Sequence, residues 1–336
     1  MTWPIPPGSE AVPEEAIALA PGSVLSPTPL PGQERTAHWR GWRIRYRVLL
    51  PSDPVARQRS PLLFLHGFGA SLDQWRYTLA PLAQDRPVYA LDLLGFGGSH
   101  KAATRFGTDL WVAQVHDFWT RWLGQRPLVL VGHSLGALVA LSFAIAHPTV
   151  VERLILLTLP AAREELLPAW ADALSRPMEQ LFSTPLLIRP LFYWVRRRGF
   201  IGAALKRLYQ VPERVDAALV TQFVAPTYDR GAARTLCYLV QSRTGATFTP
   251  ATKTLVGQLS QPTLLLWGDR DGVIPLTWGQ QLVPLSDRLT LQVIPGAGHC
   301  LYDEYPEVVN DRIQTWLAAT DRAAELNPAP ADHPSG

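Results

Sequence analysis

The stretch RPLVLVGHSLGALVALSFAIAHP, residues 126–148, decides how the whole chain is read. Leu128, Val129, Leu130 and Val131 form a short apolar run between Pro127 and Gly132, which is the pattern of a buried strand. From Leu135 the composition turns to Ala and Leu and holds that character for helix length, until Pro148 stops it. Ser134 stands at the corner between the two, inside Gly132-His133-Ser134-Leu135-Gly136. A serine at a corner can be a plain turn residue. Here the flanking glycines let the backbone reverse sharply and push the hydroxyl outward above a sheet, which is how a nucleophilic serine is presented in a G-x-S-x-G elbow.

Working outward, several runs share this fully apolar character: PLLFLHGFG, PVYALDLLGFG, VERLILLTLPA, PTLLLWGDRDGVIP and LTLQVIPGAGH. Being apolar on both faces, they read as central parallel strands covered by helices on either side. Helix-length segments separate the early runs, so the expected architecture is a doubly wound, mostly parallel α/β sheet. Residues 42–48 differ, with Trp42, Ile44, Tyr46 and Val48 alternating with Arg43, Arg45 and Arg47, and read as an antiparallel strand at the sheet edge. Between residues 160 and 260 the strand rhythm gives way to proline-punctuated helical stretches. They read as a cap over the C-terminal edge of the strands, where open α/β sheets bind ligands. The expected organisation is therefore a proline-rich arm (1–33), a core (34–160 and 261–324), a helical cap (161–260) and a flexible tail (325–336).

The chain has 336 residues, 47% hydrophobic and 18% charged, so it is globular and long enough for one large domain with an insertion. Cys237 and Cys300 are far apart and match no zinc-ligand spacing, so neither a disulfide framework nor a metal site is expected, and a reducing, cytoplasmic compartment fits. No apolar run reaches the 18 or so residues of a membrane span. A net charge of +3 is too small to argue for nucleic acid. DLLGFGGS, holding Asp92, Gly95, Gly97 and Ser99, lacks the Lys-Ser/Thr pair of a phosphate loop and the spacing of a dinucleotide fingerprint, so it reads as a structural turn and no cofactor is expected.

A nucleophilic serine needs a base, and the base needs an orienting acid. Among the histidines, His116 lies in a helix, His147 ends one, and His333 is in the tail. His299 follows a strand-like run inside PGAGHCLY, where small residues let an imidazole project from a loop, and is the expected base. For the acid, WGDRDGVIP offers Asp269 and Asp271, both chemically suitable; the loop after the preceding run holds Thr158 and no carboxylate. The expected oxyanion donors are the backbone amides of Leu135 and Phe68, the latter in the glycine-bearing LHGFG loop. His133 and Gly67 are expected at the substrate-binding surface. His66 reads as structural, holding its loop by a hydrogen bond.

Taken together, these residues resemble the α/β-hydrolase superfamily over about residues 62–160 and again 262–302. The resemblance implies the α/β-hydrolase fold, a triad in the chain order Ser134, Asp271, His299 and, for the acid, the aspartate four residues before a proline, here Asp271 before Pro275. Epoxide-hydrolase and dehalogenase chemistry would place an aspartate where Ser134 stands. GFGASLDQWRYTLAPLA, VYALDLLGFGGSHKA and LVLVGHSLGALVAL resemble the pheophytinase and chlorophyll dephytylase branch. That resemblance implies a long-chain ester as substrate. The expected activity is hydrolysis of a bulky apolar carboxylic ester through an acyl-enzyme. Two other readings stay open: a carbon–carbon bond hydrolase or cofactor-free peroxidase using the same triad, and a non-catalytic binding protein on the same fold.

Finally, RPLFYWVRRRGFIGAALKRLYQ, residues 189–210, sets Arg196, Arg197, Arg198, Lys206 and Arg207 beside Phe192, Tyr193, Trp194 and Phe200 with no acidic residue. Two readings follow. The segment docks on an anionic membrane surface, or its aromatics pack inward and a basic face is left in water.

Overall fold

The computed structural model describes residues 31–166, 184–243 and 248–326. Most of the expected arm, the end of the tail and two parts of the insertion (167–183 and 244–247) lie outside the described residues. Eight strands build one sheet: β1 (Gln33–Trp39), β2 (Trp42–Leu49), β3 (Leu62–Leu65), β4 (Val88–Leu91), β5 (Leu128–His133), β6 (Val151–Leu157), β7 (Thr263–Gly268) and β8 (Leu289–Ile294). Their spatial order is β1-β2-β4-β3-β5-β6-β7-β8. The β1–β2 and β2–β4 pairs are antiparallel and every other pair is parallel.

Strand geometry divides the core in two, because successive side chains point to opposite faces. Leu128 and Leu130 of β5, with Leu63 and Leu65 of β3, pack with Trp111, Val115 and Phe118 of helix Thr108–Trp122 and with helix Leu135–Ala146. Val129, Val131, Leu62 and Phe64 pack on the other face with Val309, Ile313 and Leu317 of helix Pro306–Leu326. This two-sided burial explains why β3 and β5 show no polar alternation in the sequence.

Two expectations about the sheet edges are corrected. The strand of residues 42–48 is not the edge: β1 lies outside it, joined by a hairpin turn in which Arg40 and Gly41 both have positive φ (50° and 81°). That turn type matches the twist of paired strands, and QERTAHW concealed its strand because its first four residues are exposed. At the opposite edge, β8 buries Leu289 and Ile294 while its middle positions are partly or fully exposed, so it is not a central strand.

The connection from β6 to β7 carries the helices Arg163–Leu166, Pro185–Val195, Arg198–Leu208, Ala217–Val224, Ala232–Arg243 and Thr252–Val256. No helix among the described residues is long and apolar enough to cross a membrane. The chain leaves β3 to form β4 on one side and later β5 on the other. The crevice at the carboxyl ends of these strands is a topological switch point, where doubly wound sheets place their ligands.

Candidate active site

Ser134 sits at the carboxyl end of β5 with φ 51° and ψ −115°, a strained conformation for a residue with a side chain. Its environment enforces it. The Ser134 N–H donates to the Leu157 carbonyl at 3.0 Å, and the Ser134 carbonyl accepts from Leu138 N–H at 3.1 Å. A Cβ on Gly136 would lie 2.3 Å from the Leu65 carbonyl oxygen, and one on Gly132 would lie 2.3 Å from the Gly136 oxygen. The two glycines of the motif thus allow helix Leu135–Ala146 to pack directly against β3 and β5.

His299 Nδ1 and Asp271 Oδ2 are 2.9 Å apart, and the Asp271 side chain is fully buried. The other carboxylate oxygen accepts the N–H groups of Val273 and Ile274 at 2.8 and 2.9 Å, which fixes the orientation of Asp271. Asp269, the alternative in the same loop, is turned elsewhere: its Oδ1 accepts Gly296 N–H at 2.7 Å and ties the loop after β7 to the loop after β8. The structure therefore sets Asp271, not Asp269, against His299. Thr158, at the end of β6, is fully buried.

His133 is buried against the ring of His299, 4.8 Å away between centroids, and against Tyr302. Its Nε2–H donates to the His299 carbonyl at 3.0 Å. Burial, followed by the neighbouring His299, holds its imidazole well below the usual histidine range, so it is neutral. The structure places His133 behind the base instead of on an open substrate surface. Gly67 lies next to it, where a Cβ would come within 2.8 Å of His133 Nδ1 and 3.5 Å of the Ser134 Cβ. His66 accepts Leu93 N–H at Nε2 (3.1 Å), so its Nδ1–H donates to the Gly67 carbonyl (2.7 Å), and it fixes the loop after β3 from below. The N–H groups of Phe68 and Leu135 carry no hydrogen bond among the described residues, and the loop bearing Phe68 abuts Ser134. Asp92 is engaged in structure: its oxygens accept Leu72 N–H (2.6 Å) and Gly98 N–H (2.7 Å), with Arg45 alongside.

Sequence reasoning missed Glu304. Its carboxylate is buried, and it accepts Gly298 N–H at 3.3 Å and Cys300 N–H at 3.2 Å, the amides on either side of His299. It also accepts Gln210 N–H at 2.8 Å, from the insertion. Beside it, buried Asp303 binds Arg76 through both oxygens (2.6 and 2.9 Å) and accepts the Tyr209 hydroxyl at 2.9 Å. Arg76 in turn reaches Asp216 at 2.7 Å and the Arg214 carbonyl at 2.8 Å. The signal that would have drawn notice is LYDE itself, two acids set four and five residues after His299 in a segment that is otherwise apolar. Burial raises both carboxyls above their ordinary values, against the pull of these donors. A groove of about 900 Å³ lined by Thr108, Val112, His116, Ser142, His147 and Leu255 lies on the flank of the two helices and does not include the elbow.

A serine at a strained elbow and an aspartate–histidine pair at neighbouring strand ends, on a doubly wound sheet with an inserted helical segment, define a hydrolase scaffold. The chain belongs to the α/β hydrolase fold family, whose sequence profile matches residues 60–306. It is similar to an abhydrolase domain-containing protein, abhd-5.2, of Caenorhabditis elegans, at 29% identity over 67% of this chain and 49% of that protein. The chain thus spans about half the length of that relative. Epoxide hydrolase 3 of Xenopus tropicalis is 29% identical over 85% of this chain and 78% of its own length. The human 1-acylglycerol-3-phosphate O-acyltransferase ABHD5 is 29% identical over 76% of this chain and 77% of its own. Among solved structures, a membrane phospholipase A described as a bacterial virulence factor superposes with a TM-score of 0.66 at 25% identity, covering 86% of each chain. A serine hydrolase of carbazole degradation gives 0.70 at 21% identity, covering 86% of this chain and all of that one.

Proposed function

We propose that the chain is a serine hydrolase of carboxylic esters that works through Ser134, His299 and Asp271. The observation that carries this reading is the 2.9 Å Asp271–His299 contact, with the second Asp271 oxygen locked by two backbone amides. In this scheme His299 Nε2 takes the Ser134 proton as the hydroxyl attacks the ester carbonyl. Asp271 holds the Nδ1–H tautomer and stabilises the imidazolium. The N–H groups of Leu135 and Phe68, which have no other acceptor among the described residues, receive the oxyanion. The imidazolium then protonates the departing alcohol, and water activated by His299 releases the acid from Ser134. Gly67 contributes by letting the Phe68 loop lie close to Ser134, and His133 by holding the His299 backbone.

The substrate proposed is a bulky, apolar ester with a long-chain or phytyl group. Support comes from the three motifs that resemble chlorophyll dephytylases, from Phe68 standing half exposed at the donor loop, and from relatives named for acylglycerol and phospholipid chemistry. With Ser134 at the elbow, the aspartyl nucleophile of epoxide opening is missing, so the epoxide-hydrolase relative does not lend its reaction. The deciding experiment is labelling with a fluorophosphonate, beside Ser134→Ala, followed by a panel of esters of rising chain length and a phytyl ester. Labelling of the folded wild type that disappears in the variant, with kcat/KM rising along the series, is expected. A folded wild type that does not label would remove the activated serine and leave a binding protein.

A further inference from the structure

Helix Pro185–Val195 breaks the rule that a surface helix shows one apolar stripe and one polar face. Ile188 and Phe192 turn inward and are buried. Leu187, Leu191 and Trp194, at i, i+4 and i+7, form a second stripe that is exposed, with Leu191 at 59% and Trp194 at 52%. Leu186 and Tyr193 are exposed on a further side, Leu186 at 81%. Arg189 is the only charged residue of the helix. Phe200, from the next helix, extends the patch, its ring 4.9 Å from that of Trp194. Contiguous exposed apolar surface of this kind marks a contact site.

The charges around the patch indicate what it contacts. Arg189, Arg196, Arg197, Arg198, Lys206 and Arg207 fall within residues 184–212, and no carboxylate does. Two acids of the following segment are committed to the core: Asp216 pairs with Arg76 at 2.7 Å and Asp229 with Lys101 at 3.0 Å. Two of the cations are also committed. Arg198 binds the Thr221 hydroxyl and the Ala217 carbonyl, and Arg196 lies over the rings of Tyr193 (4.5 Å) and Tyr228 (4.2 Å). Arg196 therefore braces aromatic rings that stay at the surface, and Tyr228 itself is 59% exposed. Aliphatic and aromatic side chains projecting between cations, with the next acid in sequence, the exposed Glu213, lying past the end of the second helix, match the boundary between acyl chains and anionic headgroups.

We propose that this face of the insertion docks on an anionic lipid bilayer, with Leu187, Leu191 and Trp194 entering the acyl boundary and Arg189 and Arg197 facing the headgroups. The inference concerns attachment and stands whether or not the chain hydrolyses an ester. It is tested by co-sedimentation of the full chain with vesicles of phosphatidylcholine alone and of phosphatidylcholine with phosphatidylglycerol, at low and high salt. Binding to the mixed vesicles, weakened by salt and unchanged in Ser134→Ala, is expected. Each cation near such a surface contributes about fivefold to partitioning, so Arg189→Gln with Arg197→Gln should weaken binding about 30-fold. Leu187→Ser with Leu191→Ser should cost about tenfold or more per leucine. Equal binding to neutral and anionic vesicles, or none to either, would overturn the proposal. So would light scattering that shows a wild-type dimer converted to monomer by the leucine pair, since a second copy would then cover the patch. Should the leucine variant fail to fold, the two arginine substitutions, both at exposed positions, carry the test alone.

Discussion

Glu304→Gln replaces one oxygen of a buried carboxylate by an amide nitrogen at the point where three backbone N–H groups converge. The new side-chain oxygen, placed where Oε2 stands, would keep Gln210 N–H and Gly298 N–H, but the NH₂ would face Cys300 N–H, donor against donor. Losing one charge-assisted hydrogen bond and leaving that donor unsatisfied costs about 1.5–3 kcal/mol. The neutral amide also relieves the cost of burying a charge that holds Glu304 above its ordinary value, so the net loss should fall at the low end of that range. The melting temperature should drop by roughly 2 °C. The larger effect should be on rate. Cys300 follows His299 directly, and a displacement of the imidazole by about 1 Å costs about 100-fold in turnover. Steady-state kinetics on a soluble nitrophenyl ester should show kcat reduced by about 10- to 100-fold with little change in KM. Asp303→Asn is the control, because it weakens the adjacent Arg76 and Tyr209 contacts without touching the amides around His299. If Glu304→Gln turns over within twofold of wild type, or if Asp303→Asn loses kcat in equal measure at equal stability, Glu304 does not position the histidine.

Two further outcomes follow from the same geometry. Asp271→Asn should lower kcat by about 10⁴ by removing the acceptor that fixes the His299 tautomer, whereas Asp269→Asn should leave turnover within a few-fold and act only on loop stability; equal losses would contradict the 2.9 Å assignment. In the second, burial keeps His66 and His133 below the ordinary value of 6.5, so below that pH the unfolded chain takes up protons that the folded chain refuses. Stability is then lost as pH falls from 6.5, by up to about 1.4 kcal/mol per pH unit for each group. Melting curves between pH 5 and 7.5 should show a shallower slope in His133→Asn than in wild type, and identical slopes would mean that His133 titrates normally in the fold. Asp92, Asp303 and Glu304, whose carboxyls are raised by burial, act in the opposite direction in both proteins and cancel in the difference.

The parts of the fold legible in the sequence were those where local pattern and tertiary role coincide. β3 and β5 are buried on both faces, so their runs are uniformly apolar, and the steric demand on Gly132 and Gly136 falls within five residues of one another. Edge strands are satisfied by a single covered face, so the sequence pattern hides β1 and makes β8 resemble a central strand. In the site, the elbow and the loop of His299 carry local signals, but the choice between Asp269 and Asp271 turns on which one faces an imidazole 28 residues on. The residues of the loop leave that choice open, and the family resemblance implies Asp271. Glu304 and Asp303 show only as two acids in an apolar segment, and their roles stay hidden because their partners are backbone amides, or lie as far off as Arg76, 227 residues away in sequence. In the basic segment, the patterned aromatics divide: Phe192 packs inward, while Tyr193, Trp194 and Phe200 stay at the surface.

The links between insertion and core have a consequence for how such proteins diversify. Glu304 grips the insertion through the Gln210 N–H, and Arg76 grips it through the Arg214 carbonyl, both of them groups that almost any residue supplies. At these two joints the insertion is held by the course of its main chain more than by the identity of its side chains. Its surface is then free to be rewritten for a new ligand while the joints to the His299 loop persist. A cap transplanted from a distant relative would need to follow the same path past residues 210–214, and would need only Tyr209 and Asp216, or equivalents, to complete the joint.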